Sequence, residues 1–327
     1  MTTVTNAAAT ATAPAPSTVD NTVAAPPPPP GPPPVERMSV GGMALRAGIW
    51  ASVALVCVVL VLYGLEPLFQ QRTQHDLLTT YRAQVAHAAH EAQGLPGVEK
   101  VTRPPAIGAP VGVLEIARVH LQQVVVEGDA AVQTAGGPGH VAGTAGPGQP
   151  GNSVIVGRRS MYGGPFGSLG ELGKGDRILM TTTQGQTVYK VVSTRAVVLG
   201  GGSADHETLD ALYRPTKDAR LTLVTSDSAS PWNTTQARVV VAKLVGEPFT
   251  RTPQARHVDQ HRLSSVDGSA WLAVLVALAG FVLVAVAAVV LYRRMSTRVA
   301  YLLATPALLV FTILLAEALS RLAPAWT

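Results

Sequence analysis

Leu221-Thr222-Leu223-Val224-Thr225-Ser226 is the stretch that decides the fold of this chain. It is rich in β-branched and apolar residues and reads as a short β-strand. Runs of the same kind recur on both sides of it, separated by glycine and proline. The candidate strands are Val113–Ala117, Leu121–Glu127, Ser153–Gly157, Arg177–Thr183, Thr187–Leu199, Leu221–Thr225 and Arg238–Val245. Several strands with turns between them and few helical stretches predict a mainly β domain, a closed antiparallel barrel, over residues 111–246.

Long apolar runs predict that the chain spans a membrane. Of its 327 residues 47% are hydrophobic, and the runs at residues 46–65, 270–292 and 299–319 are each long enough to cross a bilayer core. The short link between the last two runs contains Arg293, Arg294 and Arg298, which predict a cytoplasmic link by the positive-inside rule. The chain is therefore predicted to be a multi-pass protein of the cell membrane, with residues 66–269 outside the cytoplasm. Trp326 is expected at the membrane interface, where amphipathic rings settle.

The segments between these parts differ in composition. Residues 1–45 are rich in Ala, Thr and Pro, cannot bury a core, and predict a disordered cytoplasmic tail. Residues 66–110 are predicted to form a helical stalk and linker, because apolar side chains recur at helical spacing from Phe69 to Gln93. Residues 247–269 are predicted to be the linker to the second membrane helix.

Composition also excludes several kinds of site. The net charge of +5 comes without a cluster of Lys and Arg interleaved with aromatics, so no nucleic-acid binding is predicted. The only cysteine, Cys57, lies in the first apolar run, which leaves the exterior part without a thiol or a disulfide. His87 and His90 share one helix face but fall short of the ligands that zinc requires. Neither a metal nor a cofactor is predicted.

Three motifs resemble the catalytic positions of sortases, the surface transpeptidases of Gram-positive bacteria. The strand at residues 221–226 is similar to their TLxTC strand, with Ser226 in place of the nucleophilic cysteine. Gly157-Arg158-Arg159 is similar to their G-H-R turn, with Arg158 in place of the catalytic histidine. Arg238 stands where the family keeps its catalytic arginine. The resemblance implies that Ser226 ends a strand, faces Arg238 on the neighbouring strand and lies near Arg158.

Further motifs extend the resemblance across residues 111–246. Val124-Val125-Val126-Glu127-Gly128 resembles the family's "V-x-E-G" turn. Residues 137–144 and 147–152 are similar to the G-P-G-H-x-x-G-T and P-G-x-x-G-N segments of actinobacterial class E sortases. Residues 162–176 match the stretch that follows the family's histidine. The resemblance therefore predicts a sortase-like barrel.

The substitutions at the catalytic positions predict a degenerate enzyme. In the family, the cysteine attacks a carbonyl of an LPxTG-like sorting-signal peptide, the histidine handles the leaving-group proton, and the arginine holds the peptide or the oxyanion. A serine hydroxyl needs a neighbouring general base, and arginine does not deprotonate in proteins, so Arg158 cannot activate Ser226. The resulting hypothesis is a pseudoenzyme that acts in binding or assembly at the cell surface.

An active enzyme without a cysteine is the alternative. His140 is a possible base for Ser226, with Asp227 or Asp205 as the orienting carboxylate of a Ser-His-Asp triad. The protein would then be a transpeptidase or hydrolase that processes sorting-signal peptides. His140 also has a purely structural interpretation, because its motif occurs in sortases that keep their usual histidine. The sequence leaves both open.

The predicted partners follow from the arginines and from the membrane helices. Arg158, Arg159 and Arg238 place three guanidinium groups near the former active site, where they can grip a peptide carboxylate or an anionic cell-wall polymer. Alternatively, they pair with Asp227, Glu171 or Asp176. Small residues in the second membrane helix permit close packing with the third helix or with a partner membrane protein. These residues are Ala277, Ala279, Gly280, Ala285, Ala287 and Ala288.

Overall fold

The structure is a computed structural model of the chain. It describes residues 49, 52–53, 55–60, 64–94, 104–199, 211–228, 230, 233, 235–254, 268–295, 297–320, 322 and 324–326. The predicted tail at residues 1–45 lies outside the described residues, as does most of the predicted linker before the second membrane helix.

Eight strands close into a barrel, which confirms the predicted mainly β fold. The strands are β1 Pro110–Ile116, β2 Leu121–Glu127, β3 Gly139–His140, β4 Asn152–Val156, β5 Arg177–Thr182, β6 Gly185–Val198, β7 Arg220–Ser226 and β8 Gln236–Val245. Their order around the barrel is β1-β2-β3-β4-β7-β8-β6-β5. The barrel is not wholly antiparallel as predicted, because β2 with β3 and β4 with β7 are parallel pairs. The long connection from β4 to β7 through β5 and β6 permits this parallel pairing.

Alternating side chains divide the apolar residues between two faces of the sheet. On β7, Leu221 and Leu223 point into the barrel, whereas Val224 belongs to a cluster on the outer face. The barrel interior holds mostly aliphatic residues, such as Leu114, Val125, Ile155, Ile178 and Val240. We call the second group the outer cluster; it comprises Val141, Val154, Val156, Leu199, Leu212, Tyr213, Val224, Ala237, Val239, Ala325 and Trp326.

Helix α1, Glu66–Gly94, begins three residues before the predicted helix and lies against the barrel. The Nε2 atom of Gln74 donates to the carbonyl oxygens of Val124 and Gly136 at 3.1 and 2.7 Å. The hydroxyl of Tyr81 donates to the Thr181 carbonyl at 2.9 Å. Between Gln74 and Tyr81 the predicted stalk is therefore packed on the barrel wall. A short helix, α2, covers Ala131–Gly136.

Among the described residues, two helices are long and apolar enough to cross a membrane. These are α3, Gly268–Arg294, and α4, Thr297–Ser320. They pack on each other through the predicted small residues: Ala277 and Ala288 are buried, and a side chain at Gly280 would clash with the ring of Phe311. Of the predicted first span, the described residues between 49 and 60 are helical, and the remainder lies largely outside the described residues.

Candidate functional site

Ser226 is the last residue of β7 and is fully buried on the outer face of the barrel. Its Oγ atom donates to the carbonyl oxygens of Ser228 or Asn233, each at 3.4 Å, and accepts from the Ser228 amide at 3.2 Å. The Ser226 amide donates to the carbonyl oxygen of Trp326 at 3.0 Å. The hydroxyl is thus engaged with the backbone of its own loop.

Arg238 lies on the neighbouring strand but on the other side of the sheet. The register of β7 and β8 pairs Ser226 with Ala237 and Thr225 with Arg238. Directly paired residues project to the same face, and successive residues alternate, so the side chains of Ser226 and Arg238 project to opposite faces. The strands are neighbours as expected, but the two side chains do not face each other.

The guanidinium of Arg238 is held by Asp227. Its Nε and Nη2 atoms donate to the two carboxylate oxygens of Asp227, both at 2.8 Å, in a bidentate pair. Arg159 approaches the same carboxylate at 3.9 Å and donates from Nη1 to the Ser226 carbonyl at 3.3 Å. The sequence left open whether these arginines bind an external anion or pair with a carboxylate of the chain. In the structure Arg159 and Arg238 pair with Asp227.

Arg158 is buried, with only 1% of its surface exposed. Its Nη2 atom donates to the Ala131 carbonyl at 3.0 Å, and its guanidinium carbon lies 4.7 Å from the centre of the Tyr162 ring. Burial lowers the pKa of Arg158 to about 10, because Tyr162 and Glu66 offset the loss of hydration only in part. With a pKa of about 10, the guanidinium stays protonated at neutral pH and cannot serve as a base.

Arg158 belongs to a group of residues that we call the polar cluster: Glu66, Arg158, Tyr162 and Ser320. The cluster joins the start of α1, the loop after β4 and the last residue of α4. Tyr162 has a φ of 52°, in the left-handed region, and shares a 2.8 Å hydrogen bond with the Ser320 hydroxyl. Within the described residues, the Glu66 Oε2 atom and the Arg158 Nε and Nη1 atoms have no hydrogen-bond partner. Such buried, incompletely paired groups oppose ionisation.

The Glu66 carboxyl should make stability depend on pH. Burial raises its pKa from 4.5 to about 7, against the lowering effects of the Tyr162 amide, the Arg158 charge and the Ser320 hydroxyl. The folded chain therefore retains a proton that the unfolded chain loses, and stability should fall as pH rises from about 4.5 to about 7. Glu66→Gln should flatten this part of the profile, measured by thermal unfolding of the full chain in detergent. Asp76→Asn, at an exposed carboxyl of the same helix, should leave the slope unchanged; an equal loss of slope in both variants would contradict the assignment.

His140 is bonded through both ring nitrogens and lies within the wall of the barrel. Its Nδ1 atom contacts the Glu127 carboxylate at 2.8 Å, and its Nε2 atom contacts the Ala145 carbonyl at 3.0 Å. The Thr144 hydroxyl is also 3.1 Å from Nε2, but it donates to the Val141 carbonyl at 2.7 Å. Both ring nitrogens therefore face acceptors, an arrangement that favours the imidazolium form. Burial alone would lower the pKa of His140, but the hydrogen bond and charge of Glu127 more than offset this and raise it.

The remaining predictions for this region concern carboxylates and metals. Asp227 binds Arg238 and Arg159, as described above, and Asp205 lies outside the described residues. No group of three or more His, Cys, Asp or Glu side chains is placed to hold a metal ion within the part of the chain that the structure describes.

The position of Trp326 differs from the one predicted from the sequence. It was expected at the membrane interface, but it is fully buried in the outer cluster, and its carbonyl oxygen accepts the Ser226 amide. Because an apolar ring next to a membrane helix is typical of an interfacial anchor, the local pattern contained no signal for this position.

Comparisons with known proteins find similarity to sortases. The family model described as "Sortase domain" matches residues 114–245. Sortase D of Bacillus subtilis (strain 168) is 32% identical over 98 residues, which is 30% of this chain and 48% of that protein. The chain thus spans about half the length of the curated relative it matches. Residues 114–245 are thus similar to a sortase domain.

Solved structures of similar proteins include a Clostridium perfringens Sortase D5 transpeptidase. It is 18% identical with a TM-score of 0.42, and the alignment covers 54% of this chain and 99% of that one. Sortase E from Streptomyces avermitilis is 26% identical with a TM-score of 0.36, covering 44% of this chain and 93% of that one.

Proposed function

We propose that this protein is a membrane-anchored, extracytoplasmic sortase-like protein that has lost sortase catalysis and binds a peptide or cell-wall ligand at the cell surface. The proposal has three parts: the loss of catalysis, the retained binding site and the placement at the membrane. The G-P-G-H motif at residues 137–140 supports the further proposal that the barrel resembles class E-like sortases.

The state of Arg158 carries the first part. The residue aligned with the family's histidine is a buried guanidinium that is protonated at neutral pH and bonded to the Ala131 carbonyl. A group in this state neither accepts a proton from Ser226 nor returns one to a leaving amine. A serine without such a base is a poor nucleophile.

The position of Arg238 supports the same conclusion. A guanidinium stabilises an oxyanion only when it faces the reacting carbonyl with free donors. The Nε and Nη2 atoms of Arg238 instead donate to Asp227, and the side chain projects to the face of the sheet opposite Ser226. Nucleophile, base and oxyanion donor are thus all altered.

The environment of His140 weighs against the Ser226-based transpeptidase or hydrolase. Its two ring nitrogens donate to Glu127 and Ala145, so no lone pair is left to accept a proton. The buried pair also fixes β2 against β3, where Glu127 and His140 are register partners. A structural role accounts for the histidine in full.

Placement at the membrane rests on the apolar helices. Helices α3 and α4 contain spans of high mean hydropathy at Trp271–Leu291 and Leu302–Ser320. Their lengths suit a bilayer core, and the arginines between them favour the cytoplasmic side for the link. Both features support a barrel outside the cytoplasm, where a surface ligand is accessible.

The full chain in detergent should neither cleave nor transfer an LPxTG-like peptide. Loss of a general base costs about 10² to 10⁴ in rate, and replacement of a thiolate by an unactivated hydroxyl lowers the rate further. The assay follows a fluorogenic LPxTG peptide, with and without an amine acceptor, for the native chain, Ser226→Ala and His140→Ala. All three should match the blank; turnover by the native chain that both substitutions abolish would establish a serine enzyme and refute the proposal.

A further inference from the structure

The outer face of the barrel beside Ser226 holds a segment of the chain itself. Ala325 and Trp326 follow α4 and lie in the outer cluster against β4, β7 and β8. Apolar side chains from these strands, among them Val156, Val224 and Val239, form the floor beneath them. The segment belongs to no strand of the barrel, so it occupies this groove as a ligand would.

Hydrogen bonds to the main-chain carbonyl of Trp326 hold the segment at the end of β7. The Ser226 amide donates to the Trp326 carbonyl at 3.0 Å, and the Thr225 hydroxyl donates to the same oxygen at 3.3 Å. Two donors from adjacent residues thus converge on one peptide carbonyl. Such main-chain contacts give affinity for an extended peptide whatever its sequence, while a side-chain pocket gives selectivity.

The side-chain pocket accommodates a large aromatic ring. Trp326 has no exposed surface and is the largest fully buried side chain among the described residues. Its Nε1 atom is buried and has no hydrogen-bond partner among those residues. A buried indole N–H without an acceptor costs about 1 to 3 kcal/mol, so the pocket suits the ring better than it suits its polar edge.

We propose that this groove is a binding site for an extended peptide with a bulky aromatic side chain, and that Ala325–Trp326 occupies it in cis. The inference rests on the proposed binding function and names its ligand class. A peptide from another molecule must displace the internal segment in order to bind. Phenylalanine should suit the pocket at least as well as tryptophan, since it has no N–H to leave unpaired.

The internal segment is held near the groove by the structure around it. Ser320, the last residue of α4, shares its 2.8 Å hydrogen bond with Tyr162 in the loop after β4. A short tether of this kind gives an effective concentration in the millimolar range. A free peptide at micromolar concentration therefore competes poorly for the groove unless the internal segment binds there less tightly.

The test measures binding of a fluorescein-labelled peptide with the sequence of residues 322–327 to the full chain in detergent. In Trp326→Ala, fluorescence anisotropy should show an apparent Kd at least about 10-fold lower than in the native chain, because the tethered competitor has lost its anchor. Trp271→Ala is the matched control, since Trp271 is exposed on α3; it should bind the peptide as the native chain does. The same peptide with alanine in place of tryptophan should bind neither variant.

A second measurement uses the native chain and does not depend on the folding of Trp326→Ala. The unlabelled probe with phenylalanine in place of tryptophan, at millimolar concentration, should increase acrylamide quenching of tryptophan fluorescence as Trp326 is released. In Trp326→Phe the added peptide should produce no such increase. Equal affinity of the labelled probe for the native and Trp326→Ala chains, or no change in quenching, would overturn the inference. Mass spectrometry of the probe distinguishes failure of this inference from failure of the proposed loss of catalysis. A peptide that binds and is cleaved would refute only the loss of catalysis. A peptide that neither binds nor is cleaved would refute only the proposed peptide site in the groove.

Discussion

The double variant Ser226→Cys with Arg158→His should cleave an LPxTG-like peptide, at a rate about 10² to 10⁴ above Ser226→Cys alone. The cysteine supplies a nucleophile that ionises near neutral pH, and the imidazole supplies the proton transfer that a guanidinium cannot. The buried site should tolerate histidine, because the change removes a charge that burial already disfavours, as the lowered pKa of about 10 for Arg158 indicates. The measurement is the initial rate on a fluorogenic peptide for both single variants and the double variant.

Arg159→His with Ser226→Cys is the matched control for this rescue. It places the imidazole one residue further along the same loop, on a side chain that already contacts the Ser226 carbonyl. Equal rescue by both pairs would contradict the alignment of Gly157-Arg158-Arg159 with the family's turn.

Much of the barrel could be predicted from composition and turn residues. The predicted strand Leu121–Glu127 coincides with β2, and the predicted strand Arg238–Val245 begins two residues after the start of β8. The strand β3 was missed because its two residues, Gly139 and His140, are too few to form a compositional signal. Its role is to join β2 to β4, and this pairing depends on tertiary contacts.

The candidate site was harder to predict because its contacts are long-range. Sequence motifs located Ser226, Arg158 and Arg238, yet the faces to which their side chains point depend on strand register and on a polar cluster formed with Glu66 and Ser320. A shift of one residue in register exchanges the two faces of a sheet, and the register is set by which face is buried and by the turn geometry. Here both faces of β7 are buried, so the alternation of apolar residues does not distinguish them. The position of Trp326 likewise depends on a groove that three separate strands build.

Glu127→Gln should lower the free energy of unfolding by about 3 to 5 kcal/mol, because it leaves the buried imidazolium of His140 without its counter-ion. Both side chains are wholly buried with Nδ1 and Oε2 2.8 Å apart, and Glu127 raises the pKa of His140 more than the charge of Asp129 does. The measurement is guanidinium chloride unfolding of the full chain in detergent. Glu171→Gln, at an exposed carboxyl, should change the free energy of unfolding by less than about 0.5 kcal/mol. The double variant Glu127→Gln with His140→Gln should cost less than the sum of the single changes, since the two residues interact directly.

The same pair should give the native chain a distinct dependence on pH. Because Glu127 raises the pKa of His140 above its ordinary value of 6.5, the folded state binds a proton that the unfolded state has released. The stabilisation is therefore complete below about pH 6.5 and is lost as pH rises through the higher pKa of the folded state. In the Glu66→Gln background, which removes the effect of Glu66 up to about pH 7, the decline in the free energy of unfolding above about pH 6.5 reports the contribution of His140. In His140→Gln this decline should vanish; if it persists there unchanged, another group titrates, and the ring is not held as an imidazolium in the folded barrel.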